Sequence, residues 1–152
     1  MNPAFQSLTE QLEAKFRLLM NAVPVAAEDI PDVTPIGGVY LFSENGIYLY
    51  TGRTKRKLSR RIRDHFSTAL DCPFAWQMAR EITGRRATYK KLGSRKDLLS
   101  QPDFRRIYDE SKQRIRKMHV QYVEESEPLR QALLEIYAAV VTNSLHNDFD
   151  TH

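Results

Sequence analysis

The sequence is poor in the residues and segments that mark several classes of protein. It contains one cysteine, Cys72, in 152 residues, which excludes an intrachain disulfide and a zinc site built from several cysteines. It has no run of about 18 uncharged apolar residues, the length that a membrane-spanning helix needs. The N-terminus lacks a basic start followed by an apolar stretch, so no secretory signal is expected. We therefore expect a cytoplasmic protein with one buried or idle thiol.

Internal repeats, low-complexity tracts and linkers rich in Gly and Ser are also missing from the sequence. The length fits one domain with a hydrophobic core of its own. The composition, 41% hydrophobic and 28% charged, is ordinary for a globular chain. We expect a single domain over residues 1–152 that makes no membrane contact.

The net charge of +4 conceals an uneven distribution. Residues 1–50 carry two basic and six acidic side chains, and residues 118–152 carry one basic and six acidic side chains. Residues 51–117 between them carry 20 basic and seven acidic side chains. A cationic block of this size favours nucleic acid as a partner. The alternative is a set of solvated helix faces that pair with the acidic ends of the same chain.

Hydrophobic periodicity and turn residues predict an α+β fold. Two β-rich runs flank Asn45-Gly46, a pair favoured in tight turns, and predict an antiparallel hairpin over 38–52. Alternating apolar and polar residues predict another strand near 117–124. Helices are predicted over 5–20, 57–67, 73–83, 103–116 and 128–141. The expected fold is a small, mostly antiparallel sheet flanked by helices, in which an N-terminal helix and a connector occupy residues 1–36.

Two tripeptides on the hairpin strands and four polar residues on later elements follow one another in a set order: Gly38-Val39-Tyr40, Tyr50-Thr51-Gly52, Arg61, His65, Glu135 and Asn147. This order, and the element on which each residue stands, resemble the signature of the GIY-YIG nuclease superfamily. The resemblance covers residues 37–66 and 117–149. The stretch 67–116 is longer than a minimal domain of that family needs, and we interpret it as a helical basic insertion.

The resemblance implies a divalent-metal-dependent endonuclease that hydrolyses phosphodiester bonds in DNA, with Mg²⁺ or Mn²⁺ as cofactor and no organic cofactor. It implies that Tyr40 acts as a base on water and that Tyr50 bonds to the nucleophile or the phosphate. Arg61 and His65 would stabilise or protonate the scissile group. Glu135 would hold one metal ion, and Asn147 would orient the site.

The chemistry of these residue types agrees with such roles, although each has a simpler reading. Arg61 and His65 are four residues apart and share one helix face, but Arg60 competes with Arg61 for the catalytic position. Glu135 is the only charged residue between 132 and 141, where an exposed stripe on the helix is the alternative to a metal. A tyrosine base must also overcome a reference pKa of about 10, which requires a nearby cation.

Nine basic residues are candidates for binding the nucleic-acid backbone: Arg53, Lys55, Arg56, Arg60, Arg63, Arg85, Arg86, Lys90 and Lys91. The last four belong to the insertion, which we expect to stand in for a separate DNA-binding domain. Two other functions remain open. One is a nucleic-acid-binding module of the same fold that cleaves weakly or not at all, and the other is a domain that docks its basic middle on an acidic protein.

Overall fold

The computed structural model describes residues 1–68, 72–85, 90–144 and 146–147. Within these ranges the chain forms helices and strands in the following order: α1 (Pro3–Thr9), α2 (Leu12–Asn21), β1 (Val25–Ala26), β2 (Ile36–Glu44), β3 (Ile47–Lys57), α3 (Leu58–Asp64), α4 (Pro73–Thr83), α5 (Arg95–Ser100), α6 (Pro102–Arg116), β4 (His119–Glu124) and α7 (Pro128–Thr142). The fold is α+β, as the sequence predicts. No helix in the described part of the chain is both long and apolar enough to cross a membrane.

The four strands form one antiparallel sheet in the order β1-β4-β2-β3. The predicted hairpin is confirmed as β2 and β3, and both strands extend beyond residues 38–52. Asn45 and Gly46 join them with φ angles of 52° and 77°, the positive values that the favoured two-residue turn requires. The strand predicted near 117–124 is confirmed as β4, which pairs with β2 on the side away from β3.

Two hydrophobic cores fill the two faces of the sheet. On one face, α3, α4 and α6 cover side chains of β2, β3 and β4, and the core includes Tyr40, Phe42, Ile62, Phe74, Phe104 and Tyr108. On the other face, α2 and α7 cover the sheet, and the core consists of Leu19, Val39, Leu41, Val123, Leu134 and Ala138. The sheet is therefore the middle of three layers. The thiol of Cys72 is buried in the first core.

The ends of α4 and α7 carry residues that favour the start or the end of a helix. Pro73 occupies the first turn of α4, and Gly84 follows it with a φ of 69°. Before α7, the Glu127 carboxylate accepts a hydrogen bond of 2.6 Å from the backbone N–H of Arg130. Asn143 ends α7 in the left-handed conformation. These ends fix the positions of α4 and α7, which flank the tyrosine-bearing edge of the sheet.

Three details of the prediction are wrong. The single helix predicted over 5–20 is two helices, because the Thr9 hydroxyl donates back to the Gln6 carbonyl at the end of α1 and the chain bends before α2. The helix predicted over 57–67 stops at Asp64. β1 and α5 were not predicted, because both are short and lack a full period of apolar residues.

Candidate active site

Tyr40 and Tyr50 lie on the same face of the hairpin. Tyr40 stands opposite Gly52 in the register of β2 and β3, and Phe42 stands opposite Tyr50. The two tyrosines are thus diagonal neighbours across the strand pair. Both tyrosine rings face the layer formed by α3 and α4.

The two glycines of the signature tripeptides leave room for close approaches. A Cβ atom on Gly52 would lie 2.3 Å from the hydroxyl oxygen of Tyr40, whose ring crosses over β3 at this point. A Cβ atom on Gly38 would lie 2.2 Å from the carbonyl oxygen of Val123 on β4. Larger residues at either position would force the hairpin away from its neighbours, so these glycines set the place of the Tyr40 ring.

Tyr40 and His65 form a buried pair. The Tyr40 hydroxyl lies 2.6 Å from Nε2 of His65, and neither side chain is exposed to solvent. The other ring nitrogen, Nδ1, has no hydrogen-bond partner among the described residues. Burial, with a smaller contribution from Arg61, lowers the pKa of His65 to about 3. His65 is therefore a neutral imidazole at neutral pH, and it shares a hydrogen bond with the Tyr40 hydroxyl.

Tyr50 is held from two sides by aromatic rings. The ring of Phe74 stacks on it, with centroids 4.7 Å apart and planes 9° from parallel. The imidazole of His65 meets it edge-on, with centroids 5.3 Å apart. Tyr50 is only partly buried, unlike Tyr40, and burial raises its pKa to about 12. Tyr50 is thus the tyrosine with access to solvent.

Arg61 faces the tyrosines and Arg60 does not. Burial raises the pKa of Tyr40 far above its usual range, and Arg61 opposes that rise at both tyrosines through its positive charge. Arg60 is exposed and has no ion pair or hydrogen bond among the described residues. The geometry therefore selects Arg61 as the arginine of this cluster.

Glu135 reaches the same region from α7, on the opposite layer. Its carboxylate oxygen Oε2 accepts a hydrogen bond of 3.0 Å from Nε of Arg53, and 21% of the side chain is exposed. Burial raises the pKa of Glu135 and outweighs the opposing effect of Arg53. The negative charge of Glu135 in turn raises the pKa of both Tyr40 and Tyr50. The carboxylate and the tyrosines thus belong to one electrostatic cluster at the edge formed by β3.

The fit of a divalent metal to this cluster depends on Glu135 alone. No group of three His, Cys, Asp or Glu side chains within the described ranges is arranged to hold a metal ion. A single partly exposed carboxylate suits a hard cation that keeps most of its water molecules, as Mg²⁺ commonly does. It does not suit a dehydrated ion such as structural zinc, which takes four protein ligands.

Asn147 contacts the backbone of β3. Its side-chain amide pairs with both polar groups of Thr51, accepting from the N–H and donating to the carbonyl, each at 2.8 Å. The N–H of His146 donates to the carbonyl of Leu49, also at 2.8 Å. Residues 146–147 therefore bind the free edge of β3 and hold the backbone on both sides of Tyr50. Asn147 acts on the cluster through β3, with its amide facing the strand.

Four of the basic residues predicted to bind phosphate are engaged in ion pairs within the chain. The pairs are Arg53 with Glu135 at 3.0 Å, Arg56 with Asp64 at 2.8 Å, Arg63 with Asp32 at 2.8 Å and Arg85 with Asp103 at 2.5 Å. The local acidic partners explain why net charge alone overstates the free positive surface. Among the nine predicted residues, those that are exposed and have no acidic partner in the described part of the chain are Lys55, Arg60, Lys90 and Lys91. Arg86 lies outside the described residues.

Two contributors were missed as site residues by sequence reasoning. Phe74, in the helix predicted over 73–83, stacks on Tyr50 and is fully buried. The Thr51 hydroxyl lies 2.9 Å from that of Ser144, just after α7. The apolar face of the predicted helix 73–83 marks Phe74 as a core residue, but nothing in the sequence pointed to its contact with Tyr50 or to the contact between Thr51 and Ser144.

Comparison of the chain with protein-family models, curated proteins and solved structures gives no match.

Proposed function

We propose that this protein is a divalent-metal-dependent endonuclease of the GIY-YIG type, which hydrolyses phosphodiester bonds in DNA. The observation that supports the proposal is the convergence of the signature residues. Side chains from β2, β3, α3 and α7 meet in one electrostatic cluster, although they are far apart in sequence. A hairpin carrying two incidental core tyrosines would need neither Arg61 nor Glu135 beside them.

In the proposed reaction, Arg61 and Tyr50 act on the phosphate from the accessible side of the cluster. Arg61 supplies guanidinium donors to the phosphate oxygens, where negative charge develops as the bond breaks. Tyr50 donates a hydrogen bond to the attacking water or to the phosphate, since its high pKa keeps the hydroxyl protonated at neutral pH. These roles need only the protonation states that burial already imposes.

Tyr40 and His65 have a different part in the proposal. At neutral pH both Tyr40 and His65 are uncharged, because burial raises the pKa of the phenol and lowers that of the imidazole. Base action by Tyr40 therefore needs positive charge close to its hydroxyl, which Arg61 supplies in part. His65 positions the Tyr40 hydroxyl through the hydrogen bond at Nε2, and in this proposal it does not touch the scissile group.

Glu135 is the residue that would hold the metal ion. When bound, Mg²⁺ or Mn²⁺ would stabilise the negative charge on the phosphate and on the leaving oxygen. Asn147 keeps β3 in position behind the cluster through its two hydrogen bonds to Thr51.

A second function is favoured by a specific observation. The Glu135 carboxylate already has a cationic partner in Arg53, and burial raises the pKa of both tyrosines. A protein with these features can bind nucleic acid through its free cations while cleaving it weakly or not at all. The competing proposal is thus a nucleic-acid-binding module of the same fold.

Binding and cleavage measured side by side separate the two proposals. Labelled duplex, nicked, flapped and branched DNA are incubated with the protein in Mg²⁺, in Mn²⁺ and in EDTA, and each sample is run on a native and on a denaturing gel. The nuclease proposal predicts metal-dependent products on at least one substrate, and Glu135→Gln abolishes them without abolishing binding. Retarded complexes without products under every condition would support the binding module.

A further inference from the structure

The ion pair between Arg53 and Glu135 uses only part of each side chain. Nε of Arg53 donates to Oε2 of Glu135, and no other hydrogen bond of either side chain is found among the described residues. The side chain of Arg53 is 40% exposed, and that of Glu135 is 21% exposed. The pair is held by one hydrogen bond and is partly exposed, so Arg53 can leave Glu135 for a second anion without loss of a buried contact.

Arg53 contacts the carboxylate that would hold the cation in the proposed reaction. It follows Gly52 on β3, three residues beyond Tyr50, and its side chain reaches the carboxylate on α7. A guanidinium can bind two phosphate oxygens at once, whereas Arg53 makes a single hydrogen bond to Glu135. A divalent cation at Glu135 would occupy the oxygen that Arg53 now holds. A phosphate would thus compete with Glu135 for Arg53, and a cation would compete with Arg53 for Glu135.

We propose that Arg53 exchanges partners, leaving the Glu135 carboxylate for a phosphate group of the substrate, and that this exchange couples substrate binding to cation binding. The inference rests on the proposed function, because it assumes a phosphate-bearing substrate and a cation at Glu135. Before substrate arrives, Arg53 is the counter-ion that neutralises the carboxylate. After the exchange, Glu135 is free for the cation, and each ligand raises the affinity for the other by the same factor.

The coupling is measured as Mn²⁺ binding, by electron paramagnetic resonance of free Mn²⁺, with and without a short duplex whose linkages resist cleavage. Mn²⁺ that binds to the duplex itself is subtracted by parallel titration of Glu135→Gln with the same duplex. In the wild-type protein, the duplex should strengthen Mn²⁺ binding that depends on Glu135 by about fivefold or more.

Variants at Arg53 assign the coupling to this side chain. Arg53→Gln should bind Mn²⁺ about fivefold or more tightly without DNA, because the competing cation is gone, and the duplex should add little further. Arg53→Lys keeps the positive charge and should return the affinity without DNA towards the wild-type value. Thermal unfolding of each variant checks that the fold is kept, and the wild-type titration tests the proposal without any substitution.

The outcomes distinguish this inference from the proposed function. If Mn²⁺ binding depends on Glu135 but is neither strengthened by the duplex nor changed in Arg53→Gln, the exchange is refuted and the nuclease proposal stands. Weaker Mn²⁺ binding in Arg53→Gln would also refute the exchange, since Arg53 would then support the site. If no Mn²⁺ binding depends on Glu135 in any of the proteins, both the inference and the metal site of the proposed nuclease are wrong.

Discussion

Acidification should destabilise this protein through His65 in particular. The pKa of this buried imidazole is lowered from 6.5 to about 3 in the folded chain, mainly by burial. In the unfolded chain the imidazole is in water and titrates at its ordinary value. Below that value the unfolded chain gains a proton that the folded chain does not take up. The free energy of unfolding must therefore fall as the pH drops from 6.5 towards 3.

The size of the effect follows from the difference between the two pKa values. Each pH unit below the unfolded value reduces stability by up to about 1.4 kcal/mol until the folded value is reached. Between about pH 7 and about pH 5, His65 should account for a loss of about 2 kcal/mol. That is a large part of the stability of an ordinary domain, which is about 5–15 kcal/mol.

Urea denaturation of the wild-type protein and of His65→Gln at about pH 7, 6 and 5 isolates this contribution. The glutamine amide can donate or accept a hydrogen bond with Tyr40 but does not titrate, and the other acidic and basic groups are common to both proteins. The wild-type protein should lose about 2 kcal/mol more than the variant over this range. Two curves of unfolding free energy that run parallel in pH would refute the assignment of a neutral, buried imidazole.

Two further predictions concern the hydrogen bonds of β3 and the free cations. Asn147→Ala leaves the buried N–H and carbonyl of Thr51 without their partners. The unfolding free energy measured by urea denaturation should therefore fall by about 1–3 kcal/mol. A change under about 0.5 kcal/mol would contradict the contact. The double variant Lys55→Gln/Arg60→Gln should weaken DNA binding and reduce the slope of log affinity against log salt by about 2. Arg56→Gln, at an ion-paired position, is the control, and an equal loss there would show that ion pairing does not decide which cations bind DNA.

Local signals in the sequence account for most of the fold. Asn45-Gly46 lies between two β-rich runs, a pattern that favours a tight hairpin turn. The turn has the positive φ angles that this pattern predicts. Pro73 and Gly84 bound α4 for similarly local reasons. The break between α1 and α2 was not predicted, because the apolar stripe of the sequence continues through it.

The sequence predicts which residues belong to the candidate site better than it predicts their protonation states and partners. The order of the signature residues indicates which side chains are candidates, and Tyr40, Tyr50 and Arg61 do meet. The protonation state of His65 depends on its complete burial under other elements, which no single segment encodes. The same is true of Arg53, whose partner is 82 positions away in the sequence.

The rate at which the purified protein nicks supercoiled plasmid DNA in Mg²⁺ tests the central claim most directly, when Glu135→Gln is compared with the wild-type protein. Glu110→Gln is the matched control, since Glu110 is exposed on α6 and pairs only with Arg106 among the described residues. The account predicts nicking that EDTA abolishes. The rate should fall by about 100-fold or more in Glu135→Gln and should be unchanged in Glu110→Gln. Equal nicking by wild-type protein and Glu135→Gln, or none by either, would contradict it.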